Sequence, residues 1–182
     1  LLVLLQFNKL TIILGMSSMI FAFSYPFMKR ITYWPQLFLG LTFNWGIIMG
    51  WTAITNNISI EPLLLYISAI FWTLGYDTIY GLQDMHDDEI IGVKSTSIKF
   101  KNNPKVFVGS CYCLCVLFIL IMFFMIDPNK YILFFSIPFI VSLFYQIRIF
   151  DIKNGKSCMN AFKFNNFSGF FKFLFILLIN LR

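Results

Sequence analysis

The sequence predicts an all-α, polytopic transmembrane helix bundle of about six spans, and three observations predict it. Of the 182 residues, 59% are hydrophobic, Phe alone occurs 24 times, and charged residues make up only 12%. A water-soluble domain needs a polar face on most of its elements, and this composition cannot supply one. Apolar runs of roughly 17–25 residues recur along the chain, the length that carries a helix across the hydrocarbon layer with its backbone polar groups satisfied internally. The basic residues, finally, gather in alternate connections, as they do in membrane proteins whose loops obey a charge bias.

Taken in order, residues 1–5 (LLVLL) are too short to cross a bilayer and read as the end of a span that begins upstream. With no leader pattern and no initial Met, the chain reads as the C-terminal part of a longer protein, a single transmembrane domain over residues 1–182. The first full span is expected at about residues 10–28 and closes on Lys29–Arg30. The second covers about 35–55, with Trp34, Trp45 and Trp51 at interface or packing positions. A polar turn at 56–61 leads to a third span at about 62–76. The longest polar segment, 77–105, follows. A fourth span is expected at about 106–126, with a turn at Asp127-Pro128-Asn129. The fifth covers about 131–149, with Pro138 a candidate kink. A polar loop at 151–157 precedes a sixth span at about 161–181.

This topology places Lys29, Arg30, Lys94, Lys99, Lys101, Lys105, Arg148, Lys153, Lys156 and Lys163 on one side, ten of the fourteen basic residues. Lys9, Lys130 and Arg182 fall on the other. The positively charged side reads as the cytoplasmic face of a bacterial-type inner membrane. The net charge of +6 is thereby explained without a nucleic-acid partner. Cys111, Cys113 and Cys115 lie within an apolar run and read as small buried hydrophobes rather than metal ligands. Lys172, inside the last span, carries a burial cost of a few kcal/mol unless it snorkels or faces a polar cavity.

Against this background residues 76–94 (YDTIYGLQDMHDDEIIGVK) stand out, because five of the eight acidic residues and the one histidine lie there. If the stretch is one helix, Asp77, Asp84 and Asp88 fall within an arc of about 40°. Like charges on one helix face repel, and carboxylates beside a membrane point to function. A divalent cation turns that repulsion into coordination. Mg²⁺ takes one or two carboxylates and leaves its other positions to water and phosphate oxygens. Lys29 and Arg30, at the same membrane depth, suit the remaining charge of a diphosphate. Asp87 and Glu89 point off the carboxylate stripe toward solvent, and His86 lies on the opposite face. Lys94 sits between a diphosphate contact and a topology anchor. Asn165 and Asn166 read as interhelical hydrogen-bonding groups.

These residues resemble a known pattern. The island resembles the second aspartate-rich motif of the UbiA superfamily of intramembrane prenyltransferases, and Tyr-Asp-x-x-Tyr before Asp-x-x-Asp-Asp and Gly-x-Lys-Ser-Thr is similar to its 4-hydroxybenzoate branch. YPFMKR at 25–30 resembles the family's Tyr-x-x-x-Lys element, WPQLFLG at 34–40 follows it, and CMNAFKFNNFSG at 158–169 resembles the entry into the last helix. The resemblance implies helices four to nine of a nine-helix fold around a central cavity. It implies Mg²⁺-dependent transfer of a polyprenyl group from a polyprenyl diphosphate to 4-hydroxybenzoate, at the ring carbon ortho to the hydroxyl, in ubiquinone biosynthesis. Asp84 and Asp88 would hold the metal with Asp77 in support, and Tyr25, Lys29, Arg30 and Lys94 would bind the diphosphate. The family's first aspartate-rich motif has no counterpart in residues 1–182, so the chain by itself is expected to be inactive. Other acceptors within the superfamily, a decayed product and a membrane transporter remain as alternatives. The last expects ionisable groups along several spans, and apart from Lys172 these spans have almost none in their interior.

Overall fold

The computed structural model describes residues 2–126 and 131–180, and among them every regular element is a helix. The expected turn at 127–129, and Lys130 and Arg182 of the charge count, lie outside the described residues. Residues 4–6 form a short 3-10 turn.

Helix α1 (Lys9–Ile31) starts where Asn8 accepts the backbone N–H of Thr11, an N-cap that satisfies one orphan donor of the first turn. The same asparagine donates to the Thr52 carbonyl at 2.6 Å, and the Thr11 and Thr52 hydroxyls meet at 3.0 Å. These bonds lock the start of α1 to the end of the second span. That span is not one continuous helix. It divides into α2 (Pro35–Phe43) and α3 (Gly46–Thr55), because Asn44 folds its side chain back onto the Gly40 carbonyl. Asn44 also donates to Thr73 across the bundle, so the break doubles as a polar interhelical contact. Asn56, in the left-handed conformation, ends α3.

Helix α4 (Ile60–Gly81) runs five residues further than its apolar pattern indicates. The apolar signal stops at Tyr76, but burial continues through Thr78, Ile79 and Leu82, so packing rather than hydropathy sets the end. Two short helices, α5 (Met85–Ile91) and α6 (Thr96–Lys99), fold the polar connection. Gly92, at φ 79°, ends α5, and the Val93 N–H reaches back to the Asp88 carbonyl. Ser95 caps α6 through the Ile98 N–H. Helix α7 (Pro104–Ile126) starts on a proline, where the missing N–H is harmless, and packs along α4.

Helix α8 (Tyr131–Ile149) continues through Pro138. The polar loop expected at 151–157 is shorter than that. Asn154 caps α9 (Gly155–Lys163), which is amphipathic, and a turn at Phe164 leads into α10 (Asn165–Asn180). Among the described residues four segments are long and apolar enough to cross a membrane: Lys9–Ile31, Pro35–Thr55, Ile60–Gly81 and Pro104–Ile126, with Phe134–Ile149 a shorter apolar helix. The chain is an integral membrane protein of the all-α class.

The core joins α4, α7, α8 and α9 through Ile79, Val108, Phe139, Phe150 and Cys158. Within it runs a buried polar relay. The Tyr112 hydroxyl donates to Gln146 at 2.6 Å, and Gln146 donates to Ser168 at 2.6 Å, linking α7, α8 and α10. Lys172 is buried within the bundle. It is 6% exposed, and its ammonium sits 4.8 Å from the centroid of the Trp72 ring, a cation–π contact inside the bundle. Cys111, Cys115 and Cys158 are buried and free, whereas Cys113 is exposed, against the expectation that it is buried.

Candidate active site

One end of the bundle gathers three connections. The Lys94 N–H donates to the Lys29 carbonyl at 2.8 Å, tying the end of α1 to the α5–α6 link. Gln36 of α2 accepts the Thr96 N–H at 3.0 Å, and the Thr78 and Thr96 hydroxyls pair at 2.7 Å. The first turn of α9 lies against Gln83. The α1 end, the α4–α7 connection and the α8–α10 connection therefore share one face, and their basic residues share it too.

At this face Tyr25, Lys29, Gln36, Asp77, Tyr80, Gly81, Asp84, Asp88 and Ser95 line a cavity of about 130 Å³. Asp77, Asp84 and Asp88 are not a stripe on one helix. Helix α4 ends at Gly81, so Asp77 lies one turn inside it, Asp84 is the N-cap position of α5 and Asp88 is in that helix's first turn. The chain bends at residues 82–84, and the bend, not a 3.6-residue period, brings the three carboxylates to one cavity.

Several local features suit a charged ligand. An aspartate at an N-cap ordinarily accepts from the helix's own first N–H groups. Asp84 makes no such bond, and its side chain accepts from its neighbour Gln83 at 3.3 Å. Its carboxylate is thus not committed to the helix end. Lys29 is the one cation among the cavity's lining residues. Gly81 lets α6 approach: a Cβ there would lie 2.6 Å from the Ser97 hydroxyl, which donates to the Thr78 carbonyl. Arg30 and Lys94 stand outside the lining. The Lys94 ammonium donates to the Ile31 carbonyl and lies over the Tyr33 ring. Glu89 pairs with Lys101 at 2.7 Å, and His86 and Asp87 are exposed. Asn165 keeps a buried Oδ1 without a hydrogen-bond partner, so that atom does not make the interhelical bond expected of it.

Gln36, Tyr80 and Ser95 complete the lining without having been singled out as site residues. A buried glutamine at the head of an apolar span was the available signal for the first. For the others it was their place inside the aspartate-rich stretch.

Among the described residues no three of His, Cys, Asp and Glu converge closely enough to hold a metal unaided. The donor set nevertheless fits Mg²⁺, which accepts one or two hard carboxylate oxygens and completes its shell with water and phosphate. Asp84 and Asp88 supply such oxygens on one short helix, beside a lysine able to share an anionic ligand.

The site is thus a small carboxylate-lined cavity at one face of an all-α membrane bundle. Residues 1–174 match the UbiA prenyltransferase family, and the chain belongs to it. It is similar to proteins named 4-hydroxybenzoate polyprenyltransferase, mitochondrial. The Arabidopsis thaliana protein is 40% identical over 168 residues, 92% of this chain and 41% of that protein. The Homo sapiens protein is 41% identical over 181 residues, 98% of this chain and 48% of that protein. The Drosophila melanogaster protein is 51% identical over 110 residues, 60% of this chain and 28% of that protein. The chain thus spans less than half the length of these relatives. No solved structure matches it.

Proposed function

We propose that this chain is the diphosphate-binding part of a membrane prenyltransferase that attaches a polyprenyl group to 4-hydroxybenzoate, ortho to its hydroxyl, in ubiquinone biosynthesis. The observation that carries the reading is the single cavity in which Lys29 and Tyr25 face Asp77, Asp84 and Asp88 at one end of an apolar bundle. Family membership and the names of the similar proteins support the reaction and the acceptor. The chain forms one transmembrane domain in an inner membrane. The acidic loop lies on its positively charged face, the cytoplasmic side of a bacterium or the equivalent matrix side of a mitochondrion.

In this reading Asp84 and Asp88 hold Mg²⁺ and Asp77 supports them from α4. The metal supplies charge neutralisation to the departing diphosphate. Lys29 and the Tyr25 hydroxyl donate to diphosphate oxygens, and Arg30 and Lys94 add positive potential around the entrance. Negative charge grows on the leaving oxygens as the allylic C–O bond breaks. Donors fixed there beforehand stabilise that charge more than they stabilise the bound substrate, which is what lowers the barrier. The ring carbon of the phenol attacks the allylic carbon, and the ring proton is then lost. A cavity of about 130 Å³ holds a polar head only. The prenyl chain accordingly lies among the aromatic side chains of the bundle, away from water.

The test is prenyl transfer to labelled 4-hydroxybenzoate by membranes holding the complete protein, a polyprenyl diphosphate and Mg²⁺. Asp84→Ala and Asp88→Ala are each expected to lower product formation at least a hundredfold, as when groups that stabilise the leaving charge are removed. Undiminished product in either would remove the metal-ligand assignment. Residues 1–182 alone are expected to give no turnover, and clear prenylation by them would overturn that expectation.

A further inference from the structure

A second concavity, which shares no lining residue with the carboxylate cavity, lies between α7 and α8. Gly109, Cys113 and Leu120 of α7 and Ile140, Phe144 and Ile147 of α8 line it, and its volume is about 400 Å³. It faces outward: Cys113 is exposed, and Leu117 and Phe144 are 50% and 56% exposed. The opposite side of the helix pair is covered, since Trp72 of α4 packs edge-on against Phe139 of α8 and Phe123 of α7 meets Phe175 of α10.

Two cations bound the groove at one end. Lys105, Gly109, Cys113 and Leu117 recur every four residues on α7, so a lysine heads the stripe that forms one wall. On α8, Arg148 lies four residues beyond Phe144, and its guanidinium rests 5.0 Å from the Phe144 ring. The Lys105 ammonium lies 5.3 Å from the ring of Phe150, just past the end of α8. Both walls thus end in a cation, at the same membrane face. Among the described residues the ion pair that forms is Lys101–Glu89, which leaves both charges without a carboxylate.

Length, lining and charge point to the occupant. From Gly109 to Leu120 the groove extends roughly 17 Å, close to the ~15 Å depth of one leaflet's hydrocarbon. The apolar lining suits a hydrocarbon chain, and the two cations at its head suit an anionic group. We infer that the α7–α8 groove is a binding site for an anionic phospholipid, with one acyl chain along Gly109–Leu120 and the phosphate between Lys105 and Arg148. Gly109 leaves room for a side chain in it: a Cβ there would meet only the Ile147 Cδ1, at 3.9 Å.

Native mass spectrometry of the purified chain, released from detergent with phosphatidylglycerol or phosphatidylcholine, tests the site. At about one factor of five per cation, phosphatidylglycerol is expected to bind about 30-fold more tightly than phosphatidylcholine. Lys105→Ala with Arg148→Ala is expected to erase that preference. Lys153→Ala with Lys156→Ala, which removes the same charge from an exposed turn, is expected to preserve it. Gly109→Leu fills the groove with the cations intact and is expected to abolish retention of either lipid. Equal retention of the two lipids, equal loss in both double variants, or unchanged retention in Gly109→Leu would each overturn the site. So would a dimer of the chain that Gly109→Leu converts to monomer, which would assign the groove to a second copy.

Discussion

Replacing Gln146 with Leu tests how much of this bundle's stability rests on polar contacts in its interior. Gln146 is fully buried and holds the relay between the Tyr112 hydroxyl and Ser168. Leucine keeps the volume nearly constant, so the perturbation is the loss of two interhelical hydrogen bonds. Such bonds contribute about 0.6 kcal/mol each within membranes, with a maximum near 1.7. Leaving a buried donor unsatisfied adds to that, at about 1–3 kcal/mol per group. Ser168 can turn its hydroxyl back to a carbonyl of its own helix, so the penalty falls mainly on Tyr112, which is 3% exposed. The expected destabilisation is about 2 kcal/mol, or a Tm lower by about 4–8 °C for a chain of this size. Thermal unfolding in a mild detergent reads it, with Cys113→Ala on the exposed face of α7 as the control. Adding Tyr112→Phe to Gln146→Leu removes the orphaned hydroxyl and should recover about half of the loss. A double variant less stable than Gln146→Leu would refute the relay.

Three further substitutions probe other parts of the fold. Gly81→Val places side-chain atoms against Ser97 at the base of the carboxylate cavity; it should unseat α6 and lower both Tm and prenyl transfer, each read on the complete protein. Lys172→Met removes a buried cation and keeps the apolar stem over Trp72. Because an apolar replacement for a buried charge is commonly neutral or stabilising by about 1–4 kcal/mol, Tm should hold or rise. A fall of more than a few degrees would show that the cation–π contact outweighs desolvation. Glu89→Ala breaks an exposed ion pair and should move stability by less than about 1 kcal/mol, within the scatter of repeated unfolding curves.

The membrane class, four of the six expected spans and the shared face of the basic loops were legible because they depend on length, hydropathy and charge, which sequence carries directly. What the pattern could not carry was the backbone path through polar stretches. The three aspartates were placed on one helical arc, yet they meet because the helix stops at Gly81 and restarts at Met85. Hydropathy ended the third span at Tyr76, while the helix persists to Gly81 on the packing of Thr78 and Ile79 against its neighbours. The second span looked continuous because Asn44 is one polar residue in an apolar run; its side-chain bond to Gly40 is what divides it. Residues 155–163 read as loop and membrane entry because their polarity hid an amphipathic helix. Lys172 posed the right question but not its answer, since the Trp72 ring that receives it is a hundred residues away in sequence. The site is similar: the aspartates, Tyr25 and Lys29 stood out by residue type, whereas Gln36 joins them only through tertiary contact.

The most direct test of the diphosphate site is binding rather than turnover. Binding of radiolabelled farnesyl diphosphate to the chain in lipid nanodiscs, with and without Mg²⁺, reads it without requiring catalysis. Binding is expected to depend on Mg²⁺, to lose that dependence in the Asp84→Asn, Asp88→Asn double variant, and to weaken about 10- to 100-fold in Lys29→Ala, the worth of one charge-assisted hydrogen bond. Binding that is the same with and without Mg²⁺, and unchanged in both variants, would contradict the assignment of this cavity.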